Sequence, residues 1–285
     1  MRQATVKYRR PLNKEQLKVL ELLYRFRFGT VRYIAQYLSK TNIKVVQKKL
    51  KLLEAQGYIA KRYGREYKLQ GRPAEYYLVP KGARVLAART NPGALTAHQV
   101  TDWGIKNLYK NPTVSEVFIA HCLNILKVAL HFQENYGARL QLFSRMQILP
   151  FDYLPSWRPD LFLNLKPSAK SRARPQQFFL DLWDGTGPFF VSVRKARNYL
   201  TYAGEDRWPV DEWPLPAVLM LCAGQQDETK LRRQIRRALD ESYEEVVYAT
   251  ATTPVFMNSR GPTGKIWREA SDNEVYLALQ TIGEP

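Results

Sequence analysis

The sequence predicts two domains of different class, a small α+β domain followed by a larger α/β domain. Three observations predict this. A chain of 285 residues suits two domains. Charge is divided unevenly along it. Residues 1–90 carry 22 Lys and Arg against 5 Asp and Glu, a net of +17, whereas residues 91–285 carry 22 against 21. The hydrophobic pattern also changes, from helices followed by two strands to strands alternating with helices. The expected organisation is a basic domain over 1–90, a connector over 91–112, and a second domain over 113–285.

With 45% hydrophobic and 25% charged residues, the chain can bury a core. Its two cysteines, Cys122 and Cys222, lie in apolar runs, which argues for a reducing compartment and against a disulfide scaffold. Together with His98, His121 and His131 they show no zinc-ligand spacing. No apolar run reaches the roughly 18 residues of a membrane span. The stretch MRQATVKYRRP is basic but has no apolar segment behind it, so it does not read as a signal peptide. The expected location is the cytoplasm.

In the basic domain, Asn13 and Gln16 form a capping-box pattern before a helix carrying Leu17, Leu20, Leu23 and Tyr24, which is expected to end at Gly29. Thr30 caps a shorter helix, Val31 to Leu38. Asn42 caps a third, with Val46, Leu50 and Leu53 inward and Gly57 as its stop. YIAKRY and AEYYLVP read as two strands around a basic tip, GREYKLQGRP, and KGARVLAA as another helix. Three helices followed by a hairpin is the layout of a winged helix-turn-helix. A segment this basic attracts a polyanion, so the expected partner is double-stranded DNA, bound without any cofactor. The third helix would enter the major groove, and the wing would lie over the adjacent backbone. Gln47 matches adenine, and Lys48 or Lys44 matches guanine. Lys51 shares their face. Arg62, Arg65, Lys68 and Arg72 on the hairpin are placed to meet phosphates.

Two Asn-Pro pairs and two glycines break the periodicity of residues 91–112. From Val114 a helical stripe of Val117, Phe118, His121, Ile125, Val128, Ala129 and Phe132 runs to Gly137. Strands are expected in ARLQLFSRMQIL, DLFLNL and QFFLDLW. FVSVRKARNYLTYA starts extended and becomes helical. PAVLMLCA is a buried strand, a helix capped by Asp227 follows, and EEVVYATA is the last strand. The order is α-β-β-β-α-β-α-β. Between the second and third strands, KPSAKSRARPQQ is a basic loop suited to a DNA backbone or simply a mobile tip. In EDRWPVDEWPLP the tryptophans either make a protein contact or close one end of the sheet.

That element order resembles the core of the PD-(D/E)xK nuclease superfamily. RPD places Asp160 at the start of the second strand, and DLW places Asp181 on the third. The resemblance implies that these two carboxylates hold a divalent cation, Mg or Mn, in an active enzyme, while a lysine orients water. Trp183 stands where that lysine belongs and, two residues on, shares the face of Asp181. Lys195, Arg194 or Arg197 on the following helix are the replacements, and Glu116 is a candidate third metal ligand. Asp160, Asp181 and Lys195 are thus the catalytic set if the site is active; Lys195 pointing in beside both aspartates would mark it as more than a remnant. The alternatives are a strand-start role for Asp160, an ion pair with Arg194 or Lys195 for Asp181, a turn role for Asp184 and a satisfied core position for His121.

Over roughly residues 12–250 the chain resembles the replication-relaxation family, through the basic winged helix, RPAEYYLVPKGARVL, IAHCLNILKVAL, RPDLFLNL and FFLDLWDGT. The resemblance implies a prokaryotic DNA-binding accessory or regulatory protein of a plasmid or mobile element, acting in replication, transfer or transposition. Its nuclease-like domain would be an inactive scaffold for a protein partner such as a relaxase, transposase or replication initiator. The alternative is a metal-dependent endonuclease or nickase targeted by the winged helix. A homodimer is a further expected arrangement, since winged helices often pair.

Overall fold

The computed structural model describes residues 11–89, 100–167, 174–185, 187–205, 207–209, 213–258, 261–271 and 275–283. The chain divides into two compact units. Of the described residues, 11–89 and Val100–Pro112 belong to the first, and the second runs on from Thr113. The expected connector is therefore split: residues 91–99 lie outside the described residues, while the remainder is folded into the first unit.

In the first unit, α1 (Lys14–Phe26) starts at the capping box of Asn13 and Gln16. It ends at Phe26, three residues before Gly29, with Arg27 as its C-cap at φ 67°. The next three residues form β1 (Phe28–Thr30), a strand that sequence reasoning took for a helix stop. Thr30 then caps α2 (Val31–Tyr37), and Asn42 caps α3 (Ile43–Ala55). Val46, Leu50 and Leu53 on α3 are fully buried, and Gly57, at φ 70°, follows its C-cap. β2 (Ile59–Arg62) and β3 (Glu75–Leu78) are antiparallel, and β1 pairs with the other edge of β3, so the sheet order is β1-β3-β2.

The tip between β2 and β3 is not a simple turn. It holds α4 (Arg65–Leu69), whose Tyr67 is buried and donates its hydroxyl to Glu75 at 2.8 Å. That buried bond fixes the tip, which no local propensity announces. α5 (Pro80–Ala87) begins on a proline, and Gly82 there lies so close to the Tyr58 carbonyl that a Cβ would meet it at 2.4 Å. α6 (Asp102–Leu108), capped by Thr101, is held to α1 by the Thr101 N–H donated to the Tyr24 hydroxyl and by the Arg27 guanidinium donated to Asn111.

The second unit is built on one mixed sheet. α7 (Glu116–Tyr136) precedes β4 (Leu140–Ser144) and a short α8 (Arg145–Ile148), where a continuous strand was expected. Ser144 and Gln147 form a capping box there, which ends the strand. β5 (Leu161–Leu165) and β6 (Gln176–Trp183) extend the antiparallel part. α9 (Phe189–Ala203) is helical throughout: its β-branched start suggested an extended segment, but packing on the sheet overrides that preference. β7 (Ala217–Cys222) runs parallel to β6, and α10 (Gln225–Asp240) follows. Its N-cap is Gly224 rather than Asp227, which lies in the first turn, where the helix dipole favours a carboxylate.

β8 (Tyr248–Thr252) is parallel to β7 but is not the last strand. After α11 (Thr253–Phe256) come β9 (Trp267–Glu269) and β10 (Tyr276–Leu277). The complete order is β10-β9-β8-β7-β6-β5-β4. Buried Glu228 on α10 anchors this added edge, accepting from Arg268 of β9 at 3.0 Å and from Thr250 of β8 at 2.8 Å.

One face of the sheet packs against α9 and α10 through Phe179, Trp183, Val218, Met220, Tyr199, Leu231 and Ile235. Trp208 is buried in the same layer, and its indole N–H donates to the Trp213 and Pro214 carbonyls. The described tryptophans of the Trp-Pro stretch therefore close the sheet. Residues 206 and 210–212 of that stretch, and 168–173 of the expected basic loop, lie outside the described residues.

Candidate functional sites

Two groups of charged residues stand out, one exposed and one buried. The first is the outer face of α3. Lys44, Gln47, Lys48 and Lys51 are exposed, opposite the buried Val46–Leu50–Leu53 side. Lys49 is the exception on this helix: it pairs with Glu15, as does Lys40 at 2.7 Å. Hydrogen bonds from these two ammonium groups lower the Glu15 pKa to about 2.

The hairpin cations divide in a similar way. Arg65 is exposed, and Lys68 lies 5.7 Å from the Tyr63 ring centre. Arg62 is half-buried on β2. Arg72 is engaged within the unit, 3.1 Å from Glu75 and 4.4 Å from the Tyr67 ring centre, so it serves to hold the tip.

The second group lies at the ends of β5 and β6. In their register Leu161 faces Leu180, so one further step sets Asp160 opposite Asp181. Their side chains take over the ladder bonds. The Asp160 N–H donates to Asp181 Oδ1 at 3.1 Å, and the Leu182 N–H donates to Asp160 Oδ2 at 3.0 Å. Lys195 and Tyr199, four residues apart on α9, present one face to them. Lys195 Nζ contacts Asp181 Oδ1 and lies 3.5 Å from Asp160 Oδ1. The Tyr199 hydroxyl donates to Asp181 Oδ2 at 2.8 Å. From α7, His121 Nε2 lies 3.5 Å from Asp160 Oδ2, and Nδ1 lies 3.1 Å from Asp184 Oδ2, to which Asn124 also donates at 3.0 Å.

Burial and charge set the protonation states. Both Asp160 and Asp181 are buried. Burial alone would raise the Asp160 pKa, but Lys195 and His121 hold it well below the ordinary value. Burial and the neighbouring Asp160 push Asp181 up, against the pull of Lys195. Burial opposes the charge on His121, yet hydrogen bonds to Asp160 and Asp184 raise its pKa to about 10. Lys195 is likewise held charged, burial being outweighed by the two aspartates.

The structure thus brings Asp160, Asp181 and Lys195 together. It leaves Arg194 exposed and sets Arg197 3.9 Å from Glu241. Trp183 packs in the α9 layer with its ring 4.9 Å from that of Phe189, filling space. Glu116 lies in the exposed first turn of α7. Among the described residues, no group of three or more His, Cys, Asp or Glu is placed to hold a metal ion. His121 is not a core histidine but bridges Asp160 and Asp184, and Asp184, bonded to His121 and Asn124, is more than a turn residue.

Sequence reasoning missed Tyr199 and Asn124. Their signals were weak: Tyr199 falls four residues after Lys195, and Asn124 three after His121. The α7 stripe was right at its far end and shifted at its start. Val128, Ala129 and Phe132 are buried as expected, but earlier in the helix Ile119, Cys122 and Leu126 are buried while Val117 is exposed. α7 is apolar on more than one side, so periodicity alone did not choose its face.

Fold and sites together define a two-unit protein in which a basic helical unit accompanies a mixed α/β sheet with a buried Asp–Lys–Asp cluster. The replication-relaxation family matches residues 20–212, more than half the chain, and the chain belongs to that family. No curated protein and no solved structure gives a significant match. Among the described residues, no helix is long and apolar enough to cross a membrane.

Proposed function

We propose that the chain is a duplex-DNA-binding accessory protein in the replication, transfer or transposition of a plasmid or mobile element. The first unit works as a winged helix, and the second as a scaffold for a protein partner. The observation that carries this reading is the outer face of α3. Lys44, Lys48 and Lys51 have no ion-pair partner among the described residues, whereas Lys49 on the same helix is paired. Solvated, unpaired lysines in a row are what counterion release requires. Gln47 among them offers base readout, and exposed Val45 and Leu52 on the flank suit thymine methyl groups. Arg65 and Lys68 at the tip are placed for phosphates. The test is duplex binding in EDTA. It should persist without divalent metal and fall sharply in Lys44→Gln/Lys48→Gln/Lys51→Gln; undiminished binding by that variant would remove the reading.

A second reading, endonuclease activity in the manner of the PD-(D/E)xK enzymes, is favoured by Lys195 standing beside both aspartates. The cluster is therefore assembled, not a remnant. Its donor set nevertheless does not fit a divalent ion as it stands. All four oxygens of Asp160 and Asp181 are engaged by Lys195, His121, Tyr199 and two backbone N–H groups. Lys195 supplies the positive charge a cation would bring. Nicking of supercoiled DNA in Mg²⁺ or Mn²⁺, abolished by Asp160→Ala, would establish the second reading; intact plasmid with either metal would dismiss it.

A further inference from the structure

A cavity of about 290 Å³ opens at the carboxyl end of β6, between the first turns of α7 and α9. Ligands of open α/β sheets bind at such strand ends. Its walls are apolar, from Val117, Phe118, Trp183, Pro188 and Val191, while Lys195, His121, Asp184 and Ser192 supply polar groups. Val117 is 53% exposed, and Phe190, in the same turn of α9 as Pro188 and Val191, is 62% exposed. Val117 and Val191 thus stand open beside a polar floor, and Phe190 is exposed next along α9, outside the lining itself.

The charges at that floor define the occupant. Of the lining residues, Lys195, His121 and Asp184 are charged, and behind them buried Asp160 and Asp181, which do not line the pocket, balance the two cations. The first turns of two helices add partial positive charge, so the floor is close to neutral. It offers no surplus charge for a phosphate or a metal. Lys195 has three N–H donors, of which the aspartates use two, and its side chain remains 23% exposed. A neutral, flat group bearing hydrogen-bond acceptors suits such a pocket, whose volume is at the lower end for small-ligand sites.

We propose that this pocket takes one unpaired nucleobase of a single-stranded or frayed DNA segment, with Lys195 and Ser192 on its hydrogen-bonding edge and Phe190 stacking a neighbouring base. A base held in a duplex cannot enter a pocket of this size, so the occupant must be out of the stack. Aromatic platforms beside cationic side chains are the usual means of holding single strands. The choice of DNA rests on the reading of the first unit, so the experiment separates the two.

Binding of the full-length protein is compared for a blunt duplex, the same duplex with a short single-stranded tail, the same tail made abasic, and the free single strand. The tail should tighten binding about tenfold, as stacking one base does. Making the tail abasic should remove that gain. Val117→Trp, which fills the pocket, and Phe190→Ala, an exposed change that spares the fold, should reduce the gain and leave blunt-duplex affinity unchanged. Equal binding of tailed and blunt duplexes would overturn the pocket, as would a gain that survives the abasic tail or both variants. Binding of the free strand without the blunt duplex would instead remove the winged-helix reading and leave the pocket standing.

Discussion

Lysines do opposite work in the two units. On α3, Lys44, Lys48 and Lys51 are solvated and have no ion-pair partner among the described residues, Lys49 alone being paired. In the second unit, Lys195 sits against two buried aspartates and compensates their charge. Exposed charge interacts at long range and is tuned by salt; enclosed charge acts only on its neighbours and is protected from salt. Under the proposed function, the unpaired charge of the first unit serves recognition, whereas the most perturbed ionisable groups of the second unit hold one another in place.

The comparison breaks most readily at Lys195. Lys195→Met leaves Asp160 and Asp181 without their shared cation and should lower unfolding stability by about 3–5 kcal/mol, measured by urea denaturation. A change below about 1 kcal/mol would show that the cluster is not structural.

A smaller effect should follow from pH. The folded pKa of His121 is raised to about 10, above its ordinary 6.5. Its contribution to stability is therefore complete below pH 6.5 and is lost as pH rises through 10. Denaturation midpoints between pH 6.5 and 10 should decline in the native protein and decline less in His121→Ala. Equal slopes would remove the bridging role of His121.

Tyr199→Phe deletes one hydrogen bond to buried Asp181 and should cost about 2 kcal/mol, without altering duplex affinity. Coupled loss of DNA binding would mean that the two sites are not separate in function. The hairpin gives the finest contrast. Arg72→Gln should lose about 1 kcal/mol of stability through its partner Glu75. Arg65→Gln should leave stability unchanged and reduce the salt slope of duplex binding by about one. A reversal of those two outcomes would exchange their roles.

How much of this was legible in the sequence depended on the range of the interactions. The caps at Asn13, Thr30 and Asn42 and the α3 stripe are local, and they appear where the residues placed them. Asp160 and Asp181 were legible through the resemblance that RPD and DLW carry to the PD-(D/E)xK core, and antiparallel register sets the pair side by side. Their partners were harder to read. Lys195 was one of three cations on the same helix, and only packing chose it. Tyr199 carried no signal beyond falling four residues after Lys195. Asp184 read as a turn residue because His121 and Asn124 reach it from an element about sixty residues earlier. α4, α8, β9 and β10 are too short for periodicity, and they are held by distant contacts such as Tyr67 to Glu75 and Arg268 to Glu228.

The division of labour is tested most directly by the salt dependence of duplex binding in EDTA, comparing the native protein with Lys44→Gln/Lys48→Gln/Lys51→Gln. Affinity should fall steeply with salt for the native protein. In the triple variant the log–log slope should be shallower by about 2.7, at roughly 0.9 per lost phosphate contact, with thermal stability unchanged. A native affinity indifferent to salt, or an identical slope in the variant, would contradict the assignment of DNA binding to the first unit.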